Sequence, residues 1–310
     1  MIPFVYHPMY SQLDLPDGHR YPINKYRLLY QALCQQQQAD EHWLTFVHHH
    51  PNALTLDEVK RVHQASYVDD LAQGKLPLAK MRRIGFPWSE RLIERTLLSA
   101  GGTANTLALA WQHGMAIHLS GGYHHAHYDF GSGFCLFNDL VLAAEQAIAH
   151  CQGVDKVLII DSDVHHGDGT AALCQSRDDI ITLSFHCEKN FPSRKPESDL
   201  DVPMAKGVQD EEFLEQFKQV VDLAVRCHQP DVILYDAGVD IHQEDELGYL
   251  HVSTSALYQR DHFLFQYCQQ RALPVAAVVG GGYRTEHGDL VPLHWQLLQA
   301  AFDVSTSKGG

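Results

Sequence analysis

Four apolar runs, each ending abruptly in polar or glycine-rich sequence, constrain the fold more than any other feature. They read VLII at 157–160, IITLSF at 180–185, VILY at 232–235 and VAAVV at 275–279. Three are continuously apolar and the fourth is broken only by the small polar residues Thr182 and Ser184, so the strands they form are expected to be buried on both faces. Amphipathic helical patterns at 211–227 and 253–271 separate the later runs, and another at 290–302 follows the last. Buried strands divided by helices predict an α/β fold, a doubly wound, mostly parallel sheet flanked by helices. No internal repeat, low-complexity tract or long linker interrupts the chain, and the expected organisation is a single domain over residues 1–310.

Three of the runs lead directly into chemically loaded sequence. DSDVHHGDG (161–169) follows VLII, DAGVD (236–240) follows VILY, and GGGY (280–283) follows VAAVV. Ligands of open α/β sheets bind at the carboxyl ends of the strands. The three segments are therefore expected to converge on one site.

In the first segment Asp163 and His165 are two residues apart, which puts both side chains on the same side of an extended backbone. A carboxylate oxygen with an imidazole nitrogen suits zinc, iron(II) or a related divalent cation. Asp240, at the end of another strand, is the natural third ligand. Such a trio leaves a coordination position open, the mark of a catalytic rather than a structural metal site. A plainer reading makes the acids caps of a helix beginning near Thr170, a task Asp168 alone could perform. It does not account for the whole cluster. The glycine-rich stretch 121–139 carries the paired His124 and His125, and His–Asp pairing tunes an imidazole as a general base near neutral pH. In GGGY the glycines allow a sharp turn that projects Tyr283 into the cleft, where its phenol could donate to a developing oxyanion; the alternative is a tyrosine packed under a turn.

Composition narrows the partners and the compartment. The net charge is −15, with 38 acids against 23 Lys and Arg, which argues against nucleic-acid binding and fits cationic or neutral substrates better. Seven cysteines without CxxC pairs point to reduced thiols in a cytoplasmic protein. No secretory leader is recognisable at the N-terminus, and no apolar run approaches the roughly 20 residues of a membrane span. Most of the 22 histidines are expected to be bland, including HHH at 48–50 in a loop-like segment before Pro51.

Together GYHHAHYDFGSGFCLFND (122–139), DSDVHHGDGT (161–170), DAGVD and GGGY resemble the zinc-dependent histone deacetylase family, in its order and over roughly residues 17–303. The likeness is to bacterial and class IV members, which have the arginase–deacetylase fold. It implies Zn2+, or Fe2+ in the cell, on Asp163, His165 and Asp240. It pairs His124 with Asp161 and His125 with Asp168, making His125 the main general base and Tyr283 the group that holds the amide carbonyl. Gly133 and Phe134 would line an acyl-lysine tunnel faced by Phe191. A structural K+ would sit near Asp161, Asp163, His165, Ser184 and Phe185, largely on backbone oxygens. The implied activity is deacetylation, with acetate and a free amine as products.

The resemblance fixes the substrate less well. The rim aspartate with which many class I relatives grip a peptide is not placed in residues 82–103. Acylated lysine in peptide or protein, acylated polyamines and longer acyl chains all remain substrates to consider. His19 and Arg20 are read as stabilising the N-terminal fold rather than the entrance. Two alternatives are an arginase-like ureohydrolase, which would need more carboxylates around two metals, and a silent acyl-lysine-binding protein, which would lack one of the catalytic groups. The oligomeric state is not legible.

Overall fold

The computed structural model describes residues 1–307. Eight strands form one sheet: β1 (Ile2–Val5), β2 (Phe46–His49), β3 (Met115–His118), β4 (Val157–Asp161), β5 (Ile180–Cys187), β6 (Leu200–Met204), β7 (Val232–Asp236) and β8 (Val275–Val278). Their spatial order is β2-β1-β3-β8-β7-β4-β5-β6, and every neighbouring pair is parallel. The α/β fold expected from the sequence is thus present, with β4, β5, β7 and β8 on the four apolar runs. All residues of these four strands are buried, as continuous apolar sequence requires of a sheet covered on both faces.

The helices are started and stopped by local chemistry. Ser89 accepts a hydrogen bond from the Leu92 amide to open helix Glu90–His113, which ends at Gly114 in the left-handed region. Asn138 caps Asp139–His150 through the Val141 amide, and Ser253 caps Thr254–Gln270 through Ala256. The expected helices at 211–227, 253–271 and 290–302 are Asp210–His228, Thr254–Gln270 and Val291–Thr306.

One expectation needs correcting. The histidines at 48–50 are not a simple loop, because His48 and His49 end the edge strand β2 in register with Phe4 and Val5. Only Phe46 of that strand is fully buried, so its sequence lacks the apolar run that marks the interior strands.

Connectivity locates the crevice. From β4 the chain moves outward to β5 and β6, then returns to lay β7 against the opposite edge of β4. This reversal is a switch point, where the loops at the carboxyl ends separate and leave room for a ligand.

Candidate active site

Strands β8, β7 and β4 are neighbours, so GGGY, DAGVD and DSDVHHGDG emerge side by side from the same end of the sheet. The loop after β4 is shaped by its own carboxylates. Asp161 accepts from the Asp163 amide at 3.1 Å and Asp163 from the His165 amide at 2.9 Å, each two residues on. Asp240 accepts from the Val164 amide at 2.8 Å and ties the β7 loop to the β4 loop.

Asp163, His165 and Asp240 direct one donor atom each toward a common point, with all donors within 4.8 Å of one another. His165 Nδ1 lies 3.0 Å from Asp163 Oδ1 and 3.0 Å from Asp240 Oδ2. Donors around a tetrahedral zinc, each about 2.0–2.1 Å from the ion, stand roughly 3.3 Å apart. All three residues are buried, and no lysine or arginine forms an ion pair with either carboxylate among the described residues. Burial and the neighbouring Asp163 charge push Asp240 up to about 7, the response of a carboxyl that lacks a cation. The donor set therefore fits a divalent metal.

Two histidines stand over this trio. His124 Nδ1 is 2.7 Å from Asp161 Oδ2 and His125 Nδ1 is 2.6 Å from Asp168 Oδ1, while their Nε2 atoms are 3.1 Å apart. Burial opposes charge on His124, but Asp161 and Asp163 outweigh it and hold its pKa well above the ordinary imidazole value. Burial, and then the His124 charge, drives His125 down to about 3. The pair thus separates into a protonated inner ring and a neutral outer one, a division suited to donating and accepting protons.

Asp168 does not act as a helix cap. It is the first residue of helix Asp168–Cys174, with Gly167 at the cap position, and its second carboxylate oxygen lies 2.8 Å from His127 Nε2. The sequence reading missed His127; its spacing of two from His125 in HHAH is the signal that could have revealed it. Also missed was Lys25, buried with its ammonium donating to the Gly280 carbonyl at 2.7 Å.

Tyr283 follows β8 and is oriented by its amide, which donates to Asp245 Oδ2 at 2.7 Å. Its ring centroid is 6.1 Å from that of His165. Burial, with the Asp163 and Asp240 charges, raises the phenol well above 10, so it remains a donor. Together with His125 and His165 it lines an open cleft of about 890 Å³. Gly133 and Phe134 line the same cleft, both at positive φ (52° and 66°); Phe134, a bulky residue in this conformation, marks a strained turn held by its surroundings. Phe191 sets its ring edge-on to His125, 4.9 Å between centroids.

Ser184 pairs in register with Asp161 across β4 and β5, while the Phe185 side chain packs on Phe217 in the core. His19 stacks on Phe86, 5.5 Å between centroids, and its Nε2 is 2.8 Å from the Gly85 carbonyl. Arg20 departs from the expectation of a purely stabilising role, because it is exposed and lines the cleft.

Comparisons with known proteins place this geometry in context. Residues 19–297 match the family model described as the histone deacetylase domain. The chain is similar to an uncharacterized protein of Picosynechococcus sp., 40% identical over 97% of this chain and 99% of that one. It is 28% identical to histone deacetylase 2 of Arabidopsis thaliana over 72% of this chain, and 30% identical to the acetoin utilization protein AcuC of Staphylococcus aureus over 75%. The matched segments span 59% and 65% of those two relatives. The crystal structure of the HDA15 HD domain superposes with a TM-score of 0.82 at 20% identity, covering 98% of this chain and 90% of that one, and shows the same fold. A family model matched over nine-tenths of the sequence leaves one conclusion: the chain belongs to the histone deacetylase family.

Proposed function

We propose that the protein is a zinc-dependent amide hydrolase that removes acetyl or other acyl groups from lysine side chains or other acylated amines. The observation that carries this reading is the convergence of Asp163, His165 and Asp240 beneath a cleft faced by His125 and Tyr283. Zinc held by those three residues would supply a Lewis acid for the scissile carbonyl and lower the pKa of water. Iron(II) suits the same donors.

The chain's own groups divide the remaining work. The Tyr283 hydroxyl donates to the acyl oxygen as negative charge develops there. His125 accepts a proton from the attacking water, with Asp168 on its Nδ1 fixing the tautomer that leaves Nε2 free. Protonated His124, held by Asp161, stabilises the negative charge accumulating beside it. The proton is then delivered to the departing amine, giving carboxylate and free amine. Gly133, Phe134 and Phe191 would enclose the aliphatic chain that leads to the amide. A structural K+ would be held by Ser184 together with main-chain oxygens of Asp161, Asp163, His165 and Phe185.

A ureohydrolase needs a second metal. One feature favours it: Asp236 is buried beside Asp161 and His124 with both carboxylate oxygens unpaired. Its neighbour Asp161, however, is held by His124 at 2.7 Å, which leaves Asp236 short of the further free carboxylates a second metal centre needs. The oxygens of Asp168 are already engaged by His125 and His127. We further propose a cytoplasmic, single-domain enzyme that does not act on nucleic acid, supported by the unpaired cysteines and the net charge of −15. No helix among the described residues is long and apolar enough to cross a membrane.

The test is acetate release from an acetyl-lysine peptide by zinc-loaded protein, alongside Tyr283→Phe. Removing one oxyanion donor should reduce kcat by roughly 10²–10³-fold with zinc still bound. An unaffected variant would remove Tyr283 from the mechanism.

A further inference from the structure

Charge at the mouth of the cleft bears on which acylated amine enters, given the reading of this cleft as an amide-hydrolysing site. Four cations line it: Arg20 from the N-terminal segment, Arg83 from helix Leu78–Ile84, and Lys189 and Arg194 from the loop after β5. Among the described residues its only lining carboxylate is Asp168, which is committed to His125 and His127. A chain with 38 acids and 23 Lys and Arg would by chance show the opposite balance. The local arrangement therefore reverses the expectation of a cationic or neutral substrate drawn from net charge.

Three of the four rim cations are also free of ion pairs among the described residues. The arginines that form ion pairs are Arg177, Arg226, Arg260, Arg271 and Arg284, and Arg20, Arg83 and Arg194 are not among them. All three are exposed. Arg83 is positioned by the Phe130 ring, its guanidinium carbon 3.8 Å from the centroid. Lys189 has only an exposed contact, 3.6 Å, with Glu188. The loop carrying Lys189 and Arg194 is fastened by Lys195, whose ammonium donates to the carbonyls of Asn190 at 2.9 Å and Pro192 at 2.6 Å. Free cations brought together from three parts of the chain create a positive field over the cleft that reaches about a Debye length, roughly 8–10 Å in physiological salt.

We infer that this rim selects acyl-lysines flanked by acidic residues, over acylated polyamines and over lysine-rich segments. A polyamine carries its remaining positive charges into a mouth that has no free carboxylate to receive them. An acidic peptide meets three arginines that form no ion pair with the protein.

Three acetyl-lysine peptides, with acidic, neutral or basic residues flanking the lysine, test the inference with zinc-loaded protein. Each exposed charge contact is worth about 1.5- to 5-fold, so three of them should favour the acidic over the basic peptide by on the order of tenfold in kcat/KM at low salt. The preference should collapse in 1 M salt, where the Debye length is about 3 Å. It should also collapse in the variant R20Q/R83Q/R194Q, whose substitutions fall on exposed side chains. Equal turnover of the acidic and basic peptides at low salt, or a preference that survives in the variant, would overturn the inference. Turnover of none of the peptides would instead remove acetyl-lysine from the substrates of the proposed hydrolase. Fluorescence anisotropy of the same labelled peptides then decides the rim separately: tighter binding of the acidic peptide supports it, and equal or weaker binding sinks it.

Discussion

Replacing Gly281 by alanine probes the metal centre without removing any donor atom. Gly281 has no positive φ, so alanine is compatible with the backbone there. Its added Cβ, however, would fall closer than 3.0 Å to both Asp163 Oδ2 and Asp240 Oδ2, a separation that real Cβ atoms essentially never show. Both oxygens belong to proposed ligands and both are buried, so neither carboxylate can swing into solvent. Restoring contact requires each to retreat by about 0.5 Å or more. Retreat also strains the hydrogen bond from the Gly281 amide to Asp163 Oδ2, now 3.1 Å. Disturbing groups that orient a metal's ligands typically weakens affinity about 10–100-fold, and a misplacement near 1 Å can cost about 10² in rate. The expected result is zinc bound at least tenfold more weakly, measured by competition with a chromophoric chelator, with an unchanged far-UV spectrum. Gly288→Ala is the control, because its Cβ would meet nothing within 4 Å. A Gly281→Ala protein that holds zinc as tightly as its parent would refute the assignment of Asp163 and Asp240 as ligands.

Other perturbations test neighbouring parts of the account. Asp168→Asn should leave zinc content intact yet lower kcat by about 10²–10⁴-fold, because His125 loses the carboxylate that fixes its tautomer; rapid-quench or steady-state assay reads this directly. Stability should fall as pH drops from about 6.5 toward 4. Burial lowers His63 to about 4, His118 to about 3 and His186 to about 4. Between those values and the unfolded value near 6.5 the unfolded chain binds more protons, so stability gained above 6.5 is lost on acidification. Urea midpoints of the zinc-loaded protein at pH 7.5 and pH 5 measure it, and a higher midpoint at pH 5 would contradict the sign.

The interior of the fold was readable because β4, β7 and β8 lie on unbroken apolar runs and β5 on a run broken only by Thr182 and Ser184, and the polar ends of β4, β7 and β8 exposed the site. The outer strands were not. β2 reads FVHH and β6 reads LDVPM, sequences whose pairing is decided by the neighbouring strand rather than by local pattern. The same limit applies within the site. Asp163 and His165 announce themselves by spacing, whereas Lys25 reaches Gly280 across 255 residues and His127 is revealed only by a second oxygen of Asp168. The positive rim was hidden for a related reason: three chain segments contribute its four cations, and net charge averages them with the remaining surface.

The most direct test of the central claim is to titrate metal-free protein with zinc while following acetate release from an acetyl-lysine peptide. A one-metal hydrolase predicts a rate that rises linearly to one equivalent and then stays level. A rate that needs two equivalents, or no acetate at any loading, would contradict it.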